Sequence, residues 1–264
     1  WQELRAAPGS PKQIEMVAQV EEQFEAWNTE ATIALGLLND THIPSHNRLD
    51  HLARRLELAP SLGERCSRFL VTMSRRYQVV LLGGGFPVPV GDDQRTLNRS
   101  ELVGRDGQLL ARYDKIHLFD VDLPEGNTYR ESSTIVSGGN VPPVVDVPGL
   151  CKVGLSICYD VRFPELYRYL IENGAELIMI PAAFTAFTGK DHWQVLLQAR
   201  SIENTSYVVA PAQTGLHYGR RQSHGHAMVI DPWGIVLADA GVVQGAAIAP
   251  VDTSHVSRIR EQMP

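Results

Sequence analysis

Two hydrophobic rhythms take turns along this chain. Apolar residues recurring every three to four positions predict helices. Ile14, Val17, Val20, Phe24 and Trp27 form such a stripe behind a Ser10-Pro11 cap, and Phe69, Leu70 and Met73 mark a second helix over Leu62 to Arg76. Trp193, Leu196, Leu197, Ala199 and Ile202 mark a third, from Asp191 to about Thr205. Short apolar runs bounded by turn residues predict buried strands: Thr32 to Leu38, Tyr77 to Leu82 closed by Gly83-Gly84-Gly85, Ala175 to Ile180 ending at Pro181-Ala182-Ala183-Phe184, and Ser206 to Ala210. A hairpin pairs Glu101 to Gly104 with Leu109 to Tyr113 across an Asp106-Gly107 turn. Ala227 to Ile230, the Asp231-Pro232-Trp233-Gly234 turn, Ile235 to Ala238 and Ala246 to Val251 read as a closing meander, and the polar Thr41 to Asp50 as a loop. Strands interleaved with helices predict an α/β fold, a sheet sandwich with helices outside. With no internal repeat, low-complexity tract or linker, residues 1–264 read as a single domain.

The most informative stretch is Lys152 to Arg162. Val153, Leu155 and Ile157 alternate with Gly154, Ser156 and Cys158, a strand running up to a thiol. Pro164 at a first helical position, Glu165 in the first turn and apolar Leu166, Tyr169 and Leu170 then predict a helix. A thiol between strand and helix lies near backbone N–H groups and the positive helix end, which favours thiolate. An activated Cys158 is then expected to alkylate well below about pH 8.5. A buried cysteine is also an ordinary small core residue, and that reading stands beside the first. Lys115, flanked by apolar residues where the second hairpin strand leaves the sheet, is either solvated or held in a dry site. Glu131 by itself reads as surface. The triple glycine is no phosphate loop, since no GK[ST] follows, and its expected job is to let the backbone pass close to a neighbour.

Composition narrows the partners. With 44% hydrophobic and 20% charged residues the chain has ample core, and its net charge of -6 argues against nucleic acid or an anionic membrane surface. Three cysteines (Cys66, Cys151, Cys158) make no disulfide framework, which points to a reducing compartment and a cytoplasmic location. Among nine histidines the nearest metal-like pair is His224 and His226, without a ligand spacing around it. No apolar run is long enough to span a bilayer, and no signal-like segment opens the chain.

Four runs, in order, carry a resemblance: YDKIHLFDVDLPEG (113–126), YRESSTI (129–135), GLSICYDVRFPELYR (154–168) and GKDHWQVLLQARSIENTSYVVAPAQ (189–213). They resemble the nitrilase superfamily of carbon–nitrogen hydrolases, in its amidase branch of deaminated glutathione amidases and omega-amidases. The resemblance implies a four-layer α-β-β-α sandwich that pairs into a homodimer or higher homo-oligomer. It also implies cofactor-free and metal-free hydrolysis of a small-molecule amide bearing a carboxylate, through a cysteine thioester, with release of ammonia. Carried over residue by residue, it makes Cys158 the nucleophile, Lys115 the catalytic lysine and Glu131 a supporting glutamate. Lys115 and the Tyr159 backbone N–H would bind the oxyanion. Arg162 is placed either to bind a substrate carboxylate or to pair with a neighbour such as Asp160. Phe184 and Thr185 either line the pocket or pack.

The resemblance fails at one point. The superfamily's first glutamate, its general base, ends an early apolar strand, but here that strand ends Leu37-Leu38-Asn39-Asp40. Asp40 or His46 could substitute for it. If neither does, the chain is a catalytically impaired member acting as a ligand-binding or oligomeric partner.

Overall fold

The computed structural model describes residues 62–91, 93–123, 128–139, 141–217 and 221–263. The helix, strand and loop expected before residue 51, and the turn at 124–127, lie outside these residues. A helix over residues 62–77 (α1) leads into an antiparallel sheet of β1 (Leu81–Val90), β2 (Asp93–Val103) and β3 (Leu109–Asp114). A small hairpin, β4 (Asp120–Asp122) with β5 (Thr128–Arg130), comes next. Then follow β6 (Val144–Asp146), β7 (Lys152–Leu155), α2 (Pro164–Glu172), β8 (Leu177–Met179), α3 (Ala186–Asn204) and β9 (Tyr207–Ala210). The hairpin β10 (Thr214–His217) and β11 (Arg221–His224) precedes β12 (Met228–Ile230), β13 (Val236–Asp239) and the closing helix α4 (Thr253–Gln262).

β6 to β9 with β12 and β13 make a six-stranded sheet in the order β13-β12-β9-β8-β7-β6. β7, β8 and β9 run parallel, joined by α2 and α3, and the flanking pairs are antiparallel. Side chains of a strand alternate between its two faces, and adjacent residues of β2 show the layering. Leu102 joins the large core with Tyr113, Leu155, Ile178 and Val208, whereas Val103 packs with Cys66, Leu70 and Phe86 under α1. The two sheets therefore face each other across one core, with α1 behind the small sheet and α2 and α3 behind the large one. That is the α-β-β-α sandwich.

Several boundaries differ from the expected ones. β1 starts four residues later than expected and runs through the triple glycine instead of stopping there. The pairing with β2 shifts register between Gly83 and Phe86, which bends the strand. Any side chain at residue 83 would meet Leu70, and one at residue 85 would meet the Asn98 amide, so these glycines do permit a close approach. β7 stops at Leu155, three residues before the thiol. On α2 the buried residues are Leu166, Tyr167 and Leu170, while Tyr169 is exposed. α3 begins at Ala186, earlier than expected, and residues 246–250 form no strand. The β4–β5 and β10–β11 hairpins and α4 carry too few apolar residues to be seen from periodicity.

The large core depends on Leu170, which is fully buried and packs against the bare backbone of Gly154. Truncation there leaves a cavity between α2 and β7. Leu170→Ala is expected to cost about 2–5 kcal/mol, read as a lower denaturation midpoint at unchanged slope in urea.

Candidate active site

The parallel strands β7, β8 and β9 all deliver their carboxyl ends to one place, the usual location of a site in an α/β sheet. Cys158 follows β7, the Pro181–Thr185 segment follows β8, and Pro211 to Gln213 follow β9. With Lys115, Phe119 and Glu131 from beyond β3, they line a cavity of about 330 Å³. Gly84 and Gly85 form part of its wall.

Cys158 opens a tight 3-10 turn, Cys158–Arg162, which leads into α2. Its φ is 50°, the left-handed region that a non-glycine residue occupies only under constraint. The constraint is visible. The Cys158 N–H donates to the Pro181 carbonyl at 2.9 Å, which ties the turn to the segment after β8.

Lys115 sits at the end of β3 with its backbone pinned on both sides. Its N–H donates to the Asn98 carbonyl at 2.9 Å, and its carbonyl accepts from Gly138 at 2.7 Å. Gly138 is required there, because a Cβ would lie 2.1 Å from the Asp114 carbonyl oxygen. Next door, Arg99 grips Asp114 through two bonds of 2.7 and 2.9 Å. The Lys115 side chain is buried and donates to Glu131 Oε2 at 2.5 Å, and the same oxygen accepts the Phe119 N–H at 2.6 Å. So Lys115 occupies the dry site, and Glu131 is no surface residue.

Asp160 ties these segments together. Its carboxylate has no solvent exposure. One oxygen accepts the Tyr113 hydroxyl at 2.7 Å and the Ile157 N–H at 2.8 Å; the other accepts the His117 N–H at 3.1 Å and pairs with His117 Nδ1 at 2.8 Å. Tyr113 and His117 flank Lys115, and Ile157 precedes Cys158. One carboxylate thus fixes the lysine segment against the cysteine turn. Burial, reinforced by the Asp160 charge, pushes the Tyr113 phenol far above its ordinary range, so it serves as a donor.

The electrostatics correct one expectation. Burial works against the Lys115 ammonium, but the adjacent Glu131 carboxylate, through its charge and its hydrogen bond, works the other way, and the lysine stands above its ordinary range. Burial also pushes the Cys158 thiol up, and Glu131 acts in the same direction. Lys115, the Ala183 N–H and Arg221 pull the other way without overcoming burial. The resting sulfur is therefore a thiol that must lose a proton to a base, instead of the preformed thiolate expected from its position at a helix start.

The remaining candidates divide. Tyr159, Phe184 and Thr185 line the cavity. Phe184 also packs on Trp193, with ring centroids 5.0 Å apart, and the Thr185 hydroxyl pairs with that of Thr188 at 2.7 Å. Arg162 is not among the lining residues. Its guanidinium lies over the Phe184 and Tyr159 rings at 5.5 and 5.8 Å and is 3.0 Å from His192 Nδ1, and Asp160 is already occupied by other donors. Asp40 and His46 lie outside the described residues. His224 and His226 stack at 4.6 Å, with His226 paired to Asp239, and no group of three or more metal-ligating side chains gathers among the described residues. Asn98, His217 and Arg221, which no motif flagged, also line the cavity.

Residues 41–261 match the family model described as carbon–nitrogen hydrolase. The chain belongs to the carbon–nitrogen hydrolase family. It is 56% identical over 217 residues to the deaminated glutathione amidase of Synechocystis sp., covering 82% of this chain and 80% of that one. Among solved structures it resembles the Caenorhabditis elegans NitFhit protein, with a TM-score of 0.75 and 39% identity over 81% of this chain and 52% of that one, so it spans about half that fusion protein. It also resembles a variant of the amidase from Nesterenkonia sp. AN1, with a TM-score of 0.61 and 27% identity over 84% of this chain and 80% of that one. That structure shows the result of Michael addition of acrylamide at its active-site cysteine. The fold is thus the nitrilase sandwich, and the chain is an amidase-type hydrolase of carbon–nitrogen bonds. These relatives favour an active hydrolase over an impaired one.

Charge changes beside the sulfur should move its titration in opposite directions. Glu131→Gln removes a negative charge and lowers the Cys158 pKa; Lys115→Met removes a positive charge and raises it. The pH profile of iodoacetamide alkylation at Cys158, followed by peptide mass, checks the order, and a reversed order would contradict the arrangement. Lys115→Met also leaves Glu131 buried and unpaired, at an expected cost of about 3–5 kcal/mol in unfolding free energy.

Proposed function

We propose that this protein hydrolyses an amide of a small carboxylate-bearing substrate through a thioester on Cys158, with Lys115 and Glu131 as its partners. The observation that carries the reading is the buried Lys115–Glu131 ion pair on the same cavity wall as Cys158. Among the described lining residues Glu131 is the one carboxylate, and we assign it the thiol proton. The sulfur then attacks the amide carbonyl, and the developing oxyanion is met by the Lys115 ammonium and the Tyr159 backbone N–H. Collapse of the tetrahedral species expels the amine, which leaves with a proton. Water next cleaves the thioester, releasing the carboxylic acid and restoring the thiol.

The Synechocystis relative's name suggests deaminated glutathione as one substrate to test. A glutathione skeleton carries substituted amides, so its leaving group is an amine, whereas primary omega-amides release ammonia. Both products should be measured, by quantifying ammonia and free amine from a panel holding both kinds. Cys158→Ala is expected to abolish release, and Lys115→Ala to lower kcat by about 10²–10³-fold. Undiminished turnover by Cys158→Ala would overturn the reading. The thiols fit a reducing, cytoplasmic setting.

We also propose that the protein is a homodimer formed on the outer face of α3. Val195 and Ile202 are 65% and 58% exposed there, and Ile202 abuts the Trp233–Ile235 turn, whose two apolar side chains are also exposed. A second copy of the same apolar strip is its natural cover. Ile202→Asp is expected to convert a dimer to a monomer in sedimentation velocity, and an unchanged wild-type assembly state would contradict this face.

A further inference from the structure

Six buried side-chain polar atoms lack a hydrogen-bond partner among the described residues, and two of them, Asn98 Oδ1 and Arg221 Nε, belong to residues that line the cavity. Such groups are costly unless something later satisfies them. Arg221 is held in place rather than left loose. Its NH2 group donates to the Ala183 carbonyl at 3.0 Å, and its guanidinium lies 5.8 Å from the Tyr129 ring centre. Two residues earlier the Pro181 carbonyl accepts the Cys158 N–H at 2.9 Å, so one peptide segment holds both the nucleophile and the arginine. Lys115 and Arg221 are the two lysine or arginine side chains on the described cavity wall, and Lys115 is already bound to Glu131. Asn98 is set into the wall at a point where residue 85 has no side chain, since a Cβ there would lie 2.0 Å from its Oδ1.

We propose that Arg221 binds the carboxylate of the amide substrate by charge-assisted hydrogen bonds, and that the Asn98 amide orients a polar group beside the scissile bond. This rests on the hydrolase reading above and gives that site its specificity for anionic amides. The role expected of Arg162 passes to Arg221, because Arg162 lies outside the lining and Arg221 within it. A guanidinium fixed through one NH2 group, whose Nε finds no acceptor among the described residues, suits a carboxylate. An uncharged amide would leave the guanidinium charge unmatched and so be discriminated against.

Two measurements test this, one of which needs no turnover. Glutarate, a dicarboxylate with no amide, should protect Cys158 from iodoacetamide in the wild type. Arg221→Gln should lose that protection by tenfold or more in glutarate concentration, and Arg221→Lys should restore part of it. In turnover, Arg221→Gln should raise KM for a carboxylate-bearing amide by about 10–10²-fold, a loss of roughly 1.4–2.8 kcal/mol by the usual conversion, with a smaller fall in kcat from the charge withdrawn from Cys158. Its kcat/KM for uncharged butyramide should fall far less than that for the carboxylate-bearing amide. Equal protection of wild type and Arg221→Gln, no protection of the wild type, or protection lost in Arg162→Gln instead would each overturn the proposal. Failure of the hydrolase reading shows separately, as turnover that survives Cys158→Ala.

Discussion

A carboxylate without solvent contact can persist only if donors surround it, and Asp160 meets that condition with two donors on each oxygen. Those donors come from two parts of the chain: Tyr113 and His117 bracket Lys115, and Ile157 precedes Cys158. The separation between lysine and cysteine is thereby set by a group that itself lies outside the cavity lining. His117 is in turn clamped by Phe163, whose ring stacks on it with centroids 3.6 Å apart. The rest of the centre follows from this hub. Small-sheet and large-sheet elements meet where Asp160 joins them, and the cavity is the space left between their ends.

Within that frame each site residue is constrained by ordinary local chemistry. The Pro181 carbonyl holds the turn in which Cys158 has its left-handed backbone. Gly138 lets the chain cross close to Asp114, and the Arg99–Asp114 pair closes the end of β3. Glu131 keeps Lys115 charged where burial alone would neutralise it, yet the same carboxylate disfavours thiolate on Cys158. The ammonium is thus ready for an oxyanion, while the nucleophile becomes reactive only once its proton is removed. This division suits a hydrolase, since a thiol at rest is less exposed to adventitious oxidation than a thiolate.

Much of this was legible in the sequence where the signal is local. The Lys115 segment, the Glu131 turn and the SICYD run identify the chemistry by residue type and order, and periodicity finds α1, α3 and the parallel strands. What was not legible depends on contacts between distant residues. Tyr167 rather than Tyr169 is buried on α2 because α3 and Asp160 lie on that side, which a nine-residue helix cannot reveal by itself. The triple glycine looks like a strand end, but β2 pairs across it and turns it into a bulge. Residues 246–250 are an apolar run like a buried strand but pair with no neighbour in the sheet. The thiol's protonation state was misjudged because helix position was weighed without the desolvation and the neighbouring carboxylate that only packing supplies. Arg221 opens β11 in a polar run with no motif, and its relevance appears only when that strand brings it to Ala183.

The central claim is that Cys158 carries the acyl group between the two halves of the reaction. Its most direct test is acid quenching during turnover of a hydrolysed amide, followed by peptide mass mapping. The account predicts a mass increase equal to the substrate's acyl group on the peptide containing Cys158, reversed by hydroxylamine as a thioester should be. An acyl group on any other residue would contradict it.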